Sequence, residues 1–238
     1  MLALITSCGG DDLGSCLKGT GTIVKKTISV QKFRTIYVED NINLVFSYDK
    51  VQSVLVEAGE NLIDNIEIED SDNSIKISNK NTCNWLRSFK TPINVYISSP
   101  STCEIYKSSS GEITSKNTLK WEEIIIHQFS PGNIKLDVEV VGTDIDINGL
   151  GDVVINGTSG FVKANLYNLS STAYGVLDTR NLITNQFELL SDTQADCFVY
   201  SNGSLNAYIK NIGNVHYFGN PPQKVFKDEG DGEFIKGD

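Results

Sequence analysis

Residues 131–155, PGNIKLDVEVVGTDIDINGLGDVVI, carry the pattern that decides the fold. Apolar and polar residues alternate along them, so that Ile145 and Ile147 are interleaved with Asp144 and Asp146. Successive side chains of a β-strand point to opposite faces, and this period of two therefore predicts strands with one buried face. No long segment keeps the 3.6-residue spacing of an amphipathic helix. The sequence predicts an all-β protein.

A turn signal recurs through the C-terminal half at a spacing of about 20 residues. In each case Gly, Ser or Thr is followed two positions later by Ile, Val or Ala. The marker residues are Gly111, Gly132, Gly151, Ser171, Thr193 and Gly213. A unit of this size cannot bury its apolar face alone, so neighbouring units must stack. We therefore predict a parallel β-solenoid (β-helix) with rungs of about 20 residues. A β-sandwich or barrel with regularly spaced strands is the alternative.

The N-terminal half also has the pattern of strands separated by turns. The predicted strands are residues 35–38, 42–48, 54–57, 66–69, 75–78 and 93–98, and Asp72-Asn73 is one of the turn signals. We expect an N-terminal β region over residues 28–100, followed by solenoid repeats and a cap over residues 101–238. The alternative is one continuous domain over residues 28–238.

The N-terminus resembles the processing site of a bacterial lipoprotein. Ile5-Thr6-Ser7-Cys8 has the form of a lipobox, in which small residues precede the cut and the cysteine thiol takes the lipid. Residues 1–8 are then a signal-peptide remnant, and residues 9–27 are a flexible tether. A signal peptide has a basic region followed by an apolar region of about 7–15 residues. In the given sequence seven residues precede Cys8, and none of them is basic. We expect a lipid on Cys8, attachment to the outer membrane and exposure at the cell surface.

The charge balance excludes one class of partner. The chain has 20 Lys and Arg against 30 Asp and Glu, a net charge of −10. A nucleic-acid-binding protein needs a basic face to neutralise phosphates, and the sequence offers none. Anionic lipid headgroups would repel the chain as well, so membrane contact is expected only through the lipid anchor.

Four cysteines remain if Cys8 carries a lipid. They are Cys16, Cys83, Cys103 and Cys197. An even number in an exported protein permits disulfides, and Cys83 with Cys103 is the first pair to test because the two flank the strand-like residues 93–97. Buried free thiols are the alternative.

The sequence contains little that is typical of catalysis. His127 and His216 are the two histidines, each within a strand-like run, and neither a G-x-S-x-G nor an H-E-x-x-H motif occurs. We expect both to be partly buried strand residues. No catalytic residue, metal ligand or cofactor is predicted.

Carboxylates and one tryptophan are the candidate ligand-binding residues. Asp144 and Asp146 lie two apart on one strand face, as do Asp137 and Glu139. Such pairs serve glycan-active solenoid enzymes, but a solvated acidic face is the simpler interpretation. Trp85 lies in a segment where the strand pattern breaks, and it either is exposed or plugs one end of the solenoid. The candidate ligand surface is therefore Trp85, Asp144 and Asp146.

Several motifs together resemble one family. They are Phe33-Arg34-Thr35-Ile36-Tyr37-Val38, Asn41-Ile42-Asn43, Val54-Leu55-Val56-Glu57-Ala58 and Val215-His216-Tyr217-Phe218-Gly219. In this order they resemble the head-GIN-domain auto-transporter adhesins of Bacteroidetes, over about residues 22–235. The resemblance implies an exported, lipid-anchored, mostly β-solenoid protein. The chain departs from the family pattern at Asn41, which replaces the glycine of Gly-Ile-Asn, and at Ser171 and Thr193, which replace repeat glycines.

Three functions follow in order of preference. The first is a surface lipoprotein that acts as a non-catalytic binding or adhesion module for a glycan or protein at the cell surface. The second is a structural envelope protein without a specific ligand. The third is a glycan-active β-helix enzyme.

Overall fold

The structure, a computed structural model, describes residues 19–82, 92–101, 103–167 and 175–238. Strands account for 60% of the described residues and helix for 1%, so this part of the protein is all-β, as predicted. The described strands are β1 (Ile23–Ile28), β2 (Thr35–Val38), β3 (Ile42–Tyr48), β4 (Ser53–Gly59), β5 (Ile66–Ser71), β6 (Ser74–Asn79), β7 (Ile93–Ser99), β8 (Cys103–Lys107), β9 (Ile113–Ser115), β10 (Glu123–Gln128), β11 (Ile134–Ile147), β12 (Val153–Leu166), β13 (Leu177–Asp178), β14 (Leu182–Ser191), β15 (Cys197–Tyr200), β16 (Ser204–Ile209), β17 (Val215–Phe218), β18 (Gln223–Asp228) and β19 (Phe234–Lys236). A single 3₁₀ turn, Ile63–Asn65, is the helical element within these ranges.

Most of the strands pair in parallel with strands one repeat away in sequence. Ile134 of β11 pairs with Val153 of β12, and Glu123 of β10 pairs with Gly142 of β11; both steps are 19 positions (153 − 134 and 142 − 123). Within the described strands, antiparallel pairing is confined to β1–β4, β4–β7 and β5–β6. The sheet is therefore built by stacking successive segments of chain in register.

The parallel pairs form two ladders. Ladder A contains, in spatial order, β6, β2, β8, β10, the second halves of β11 and β12, β14, β16 and β18. Ladder B contains β7, β3, β9, the first halves of β11 and β12, β13, β15, β17 and β19. A strand of ladder A followed along the chain by a strand of ladder B makes one rung.

The N-terminal rungs do not stack in sequence order. Strand β2 pairs with β6 on one side and with β8 on the other, and β3 lies in the same way between β7 and β9. The first rung of the chain is thus held between two later ones. The antiparallel strands β1, β4 and β5 flank the β6–β7 rung.

Alternation of side chains builds the core. In β11 every second residue is buried from Ile134 to Val140, and the buried position continues at Ile145 and Ile147. The ladder register places Ile126, Ile145 and Ala164 in one inward-facing row. Full burial of an aliphatic side chain contributes about 1.5–3 kcal/mol, so these rows supply the main stabilisation.

Glycines stack at the turn that precedes ladder B. A side chain on Gly132 would collide with the carbonyl of Gly111, and one on Gly151 with the carbonyl of Gly132.

The register corrects two predicted markers. Leu177 pairs with Val153, so Gly175 takes the place in the stack that was predicted for Ser171, which lies outside the described residues.

The second corrected marker is Thr193. Cys197 pairs with Val215, and a side chain on Gly213 would meet the carbonyl of Ala195. Ala195, two positions later than predicted, is therefore the equivalent of the repeat glycines. This repeat does lack the glycine, as predicted, but the residue that replaces the glycine is Ala195 and not Thr193.

Polar side chains tie five of the turns that precede ladder B to the adjacent rung of the stack. A side-chain oxygen accepts a hydrogen bond from the backbone N–H at the equivalent position one rung later, at 2.8–2.9 Å. The accepting residues are Asn43, Asn133, Asp152, Asp196 and Asn214. Asn43 is the last residue of the Asn41-Ile42-Asn43 motif, so this motif marks the first of the turns. The left-handed residue beside it is Asp40 (φ 64°) and not Asn41.

A lysine is buried at the corner between the ladders. Lys107 has no exposed surface, and its ammonium group donates hydrogen bonds to the Ser109 carbonyl and to Ser130 Oγ, the latter at 2.9 Å. Burial lowers the pKa of Lys107 to about 8, from an ordinary value of 10.5. The folded state therefore releases this proton at a lower pH than the unfolded chain does.

This difference predicts stability that rises with pH. Between pH 8 and 10 the unfolded chain keeps the Lys107 proton and the folded protein does not, so folding is favoured by about 1.4 kcal/mol per pH unit. We expect the free energy of unfolding of the wild type, relative to Lys107→Met, to rise by about 2 kcal/mol between pH 7.5 and 10. Urea unfolding at each pH measures it. Lys116→Met, at an exposed lysine, is the control and should track the wild type; a Lys107→Met difference that does not change with pH contradicts the prediction.

Candidate functional site

The outer face of ladder A carries His127, Asp144 and Asp146, three of the polar residues considered above, together with polar and aromatic side chains of the neighbouring strands. Register aligns residues of successive rungs into rows on this face. The histidine row is Tyr37, Tyr106, His127, Asp146, Asn165, Leu190, Tyr208 and Lys227. The adjacent row is Thr35, Glu104, Ile125, Asp144, Lys163, Glu188, Asn206 and Val225.

His127 lies between two carboxylates. Its Nδ1 is 3.0 Å from Asp146 Oδ2, and its Nε2 is 3.2 Å from Glu104 Oε1. Carboxylates only accept hydrogen bonds, so both contacts are hydrogen bonds when both ring nitrogens carry hydrogen. Asn165 Nδ2 donates to the other oxygen of Asp146 at 2.9 Å. We call Glu104, Tyr106, His127, Asp146 and Asn165 the histidine cluster.

Aromatic rings stack along the same row. The Tyr37 and Tyr106 rings are 4.7 Å apart between centroids, and the Tyr106 and His127 rings are 4.3 Å apart. Tyr106 also donates to Glu104 Oε1 at 2.9 Å, and this hydrogen bond, with burial, raises the pKa of the Tyr106 hydroxyl to about 12. Because the ring faces cover one another, the edges of these rings rather than their faces are open to a ligand.

Asp144 occupies the row beside the cluster. Burial raises the pKa of its carboxyl group, and the nearby charge of Lys163, directly opposite it in register, acts in the reverse direction. Asp144 and Asp146 therefore lie on one face of β11, as the alternation predicted, but in different surroundings: Asp146 is bonded to His127 and Asn165, whereas Asp144 faces a lysine.

A shallow groove continues the two rows toward β18. It has a volume of about 440 Å³ and is lined by Lys163, Asn165, Glu188, Leu190, Asn206, Tyr208, Val225 and Lys227. Lys227 lies 4.3 Å above the Tyr208 ring and pairs with Glu229 at 2.7 Å. We call this the tyrosine groove. Asn165 belongs to both the groove and the histidine cluster, so the two form one continuous surface.

The other predicted residues fall elsewhere. His216 lies on ladder B, where its Nε2 is 2.9 Å from Asp196 Oδ2, so the two histidines are not brought together. Trp85 and the lipidation candidate Cys8 lie outside the described residues. Glu104 and Tyr106 were not predicted as partners of His127. Alignment of residues 106, 127, 146 and 165 at the repeat spacing would have indicated Tyr106, and Glu104 lies two positions before it on the same strand face.

Metal-ligating side chains and cysteine thiols are two kinds of reactive group within the described ranges. None of the His, Cys, Asp and Glu side chains described there form a group of three suited to a metal ion. Cys103 and Cys197 are buried free thiols, and burial raises the pKa of each to about 12, which keeps them unreactive. Cys83, the predicted partner of Cys103, lies outside the described residues, as does Cys16.

The stacked register and the scarcity of helix in the described residues define a class: all-β proteins built on one large, mostly parallel sheet. A family model described as "Putative auto-transporter adhesin, head GIN domain" matches residues 32–221, and the chain belongs to this family. The resemblance found in the sequence is thereby confirmed. No curated protein matches the chain. The described part of the chain contains no helix of the length and apolarity that crossing a bilayer requires.

Solved structures share the fold. A putative adhesin from Bacteroides fragilis NCTC 9343 superposes with a TM-score of 0.77 at 20% identity, over 90% of this chain and 97% of that one. A putative adhesin from Parabacteroides distasonis ATCC 8503 gives 0.65 at 19% identity, over 92% and 98%. A structure from the same organism described as a putative lipid binding protein gives 0.59 at 16% identity, over the same shares. At these identities the likeness concerns the fold.

The contacts of His127 predict its contribution to stability. His127→Phe keeps a ring against Tyr106 but removes both carboxylate contacts, and we expect the free energy of unfolding to fall by about 1–2 kcal/mol. His127→Ala also removes the stack, which adds about 0.5–1.5 kcal/mol. Urea unfolding at pH 7 measures both. His216→Phe, which loses one carboxylate contact instead of two, is the matched control and should lose less; a His127→Phe variant as stable as the wild type contradicts this role for the cluster.

Proposed function

We propose that the protein is a non-catalytic binding and adhesion module of the cell surface, which takes a glycan or protein ligand on the outer face of ladder A. The observation that carries this proposal is the continuity of the histidine cluster with the tyrosine groove along the same two rows. The family is described as adhesins, which agrees with a surface role. The structural envelope role without a ligand is the alternative that a binding test decides.

The lining of the tyrosine groove favours a glycan over a protein. The amides of Asn165 and Asn206 offer both donors and acceptors, Glu188 offers acceptors, and Leu190 and Tyr208 supply apolar surface between them. Sugar hydroxyls need donors and acceptors side by side, and the CH surfaces of a pyranose need apolar contact. A volume of about 440 Å³ lies within the range of small-ligand sites.

The engagement of the acidic groups supports a binding role over a glycan-active enzyme. Each nitrogen of His127 faces a carboxylate, and each carboxylate oxygen of Asp146 has a partner in His127 or Asn165. A general acid or base must be free to exchange a proton with its substrate. The pKa of Asp144 is raised, but the carboxylate beside it, Asp146, is hydrogen-bonded to His127 and Asn165 and is therefore not the free nucleophile that a glycosidase pairs with its acid.

We also propose that ladders A and B are two faces of one parallel β-solenoid, and that residues 28–238 form one continuous domain. The recurring step of 18 or 19 positions between paired residues of β10 and β11, of β11 and β12, and of β14 and β16 supports the solenoid. Pairing of β2 with both β6 and β8 links the N-terminal region to the repeats by backbone hydrogen bonds and supports the single domain.

The anchor is proposed on sequence grounds. Residues 5–8 have the form of a lipobox, and the residues between Cys8 and β1 would act as a tether between the outer membrane and the folded rungs. The tether predicted over residues 9–27 is too long at its C-terminal end, because Ile23 to Thr27 pair with β4 as part of β1. Each buried CH₂ of an acyl chain contributes about 0.8 kcal/mol, so the several chains of a lipoprotein would hold the protein stably at the cell surface despite its net charge of −10.

A glycan array and a panel of extracellular-matrix proteins test the ligand-binding role. We expect the full chain to bind glycans on the array, and we expect Asn165→Ala and Tyr208→Ala each to weaken binding about tenfold, because both side chains line the groove. Asn156→Ala is the matched control, since Asn156 lies on the same strand, β12, but in its ladder B half, and should bind as the wild type does. Binding to matrix proteins alone would favour a protein ligand. Absence of any binding, or equal loss in the control, contradicts the proposal.

Metabolic labelling tests the anchor. The upstream regions of a lipoprotein signal peptide are fused ahead of Ile5, and the cells are grown with labelled palmitate. We expect the protein to carry the label, Cys8→Ala to lose it completely and Cys16→Ala to keep it, because the predicted lipobox is Ile5-Thr6-Ser7-Cys8. Cys16 is the informative control, since it also follows two small residues, Gly14 and Ser15. Label that persists in Cys8→Ala contradicts the anchor without affecting the ligand-binding role.

A further inference from the structure

Strand β18 is an open edge of ladder A. It pairs with β16 on one side, and within the described residues no strand pairs with its other side. All six of its residues are exposed, including Val225 (63%) and Phe226 (36%). An open strand edge with apolar side chains is a template for pairing with another strand.

The hydrogen bonds between β18 and β16 show which residues of β18 direct their backbone N–H and C=O groups to the open edge. Gln223 N donates to the Gly203 carbonyl, and Glu229 N donates to the Ile209 carbonyl. Because backbone groups of a strand alternate between its two neighbours, the odd-numbered residues of β18 bond to β16. The N–H and C=O groups of Lys224, Phe226 and Asp228 therefore point to the open edge.

The side chains of the same three residues share one face. Lys224, Phe226 and Asp228 align with Leu205, Ala207 and Ile209, which are buried in the rung below. The Phe226 ring stacks on Phe234 of β19 with centroids 4.3 Å apart. The edge thus presents a cation, an aromatic ring and an anion at every second position, on the side that continues the core.

This order is self-complementary. If a second copy of β18 runs antiparallel with Phe226 opposite Phe226, then Lys224 of each copy lies opposite Asp228 of the other. All three positions direct their backbone groups to the edge, so each opposed pair can exchange two N–H···O=C bonds. Opposite charges on directly opposed residues stabilise such a pair.

Other registers lose this match. A shift of one residue would place backbone groups that already bond to β16 against the second copy. A shift of two residues would place Lys224 or Asp228 opposite Phe226 and leave charges without partners. Inward-pointing charges commonly protect an edge from foreign strands, and here the same charges also fit one partner, the identical strand.

We propose that two copies of this chain associate through antiparallel pairing of their β18 strands about a two-fold axis at Phe226. Such an interface is isologous, because the same patch serves both partners. The two copies of ladder A continue as one sheet across the axis. The proposal does not depend on the ligand of the tyrosine groove.

Sedimentation equilibrium of the non-lipidated full chain tests the association, over about a hundredfold range of concentration. We expect a monomer–dimer equilibrium for the wild type. Lys224→Asp and Asp228→Lys each oppose like charges twice across the axis, and each should raise the dimer dissociation constant about tenfold or more. The double variant Lys224→Asp/Asp228→Lys restores opposite charges and should return the dissociation constant to near the wild-type value.

Circular dichroism and thermal unfolding check that the variants fold. The proposal is overturned if the wild type is a monomer throughout, or if both single variants dimerise as the wild type does, which would place the interface on another surface. Single variants that dissociate and a double variant that does not recover would overturn the proposed register. If a single variant fails to fold, Phe226→Asp, which puts two carboxylates together at the axis, supplies the dissociating variant.

Discussion

Parallel hydrogen bonding between segments of chain about 19 residues apart is the constraint on which this structure depends. Once Ile134 is paired with Val153, the partners of all remaining residues in the two strands are determined. The face on which each side chain lies is determined as well, because side chains alternate strictly between faces. The same register brings the repeat glycines against one another's carbonyls and places Asn133 where its side chain reaches the backbone of Asp152. Core, turns and outer rows are consequences of one stacking step.

That constraint explains why much of the fold could be predicted. The alternation of residues 134–147 directly records which side chains face inward, and the predicted N-terminal strands agree with β2 to β7 to within two residues at each end. The turn Asp72-Asn73 was also recognisable, and both residues take positive φ angles between β5 and β6. These features are local, so the residues that specify them are adjacent in sequence.

The errors arose where a local pattern was extended over distance. The step from Val153 to its partner Leu177 is 24 positions, not 19, and a marker placed by regular spacing therefore fell on Ser171 instead of Gly175. The N-terminal order was not readable either, because the insertion of β2 between β6 and β8 joins residues that no repeat relates.

In the candidate site, too, the local features could be predicted from the sequence and the long-range contacts could not. The common face of Asp144 and Asp146 follows from their spacing of two. The pairing of Asp146 with His127, and of His127 with Glu104, follows from the rung register and could not be obtained from either strand alone. In the histidine row the ring centroids of Tyr106 and His127 are 4.3 Å apart, which is close to the spacing of neighbouring strands. The backbone register therefore brings the rings into contact, and stacking requires little further loss of side-chain conformational entropy.

The insertion of the first rung between later ones has a consequence for how the chain reaches its native state. When β2 and β3 emerge from synthesis, neither has a parallel neighbour, and both edges of each stay open until β6 to β9 have been made. Residues up to Ser115 must therefore be present before the first rung is enclosed, and the N-terminal region cannot fold by simple addition from its beginning. The later rungs, by contrast, each find a finished template, so the long sequence separation that slows folding is concentrated in the first half of the protein.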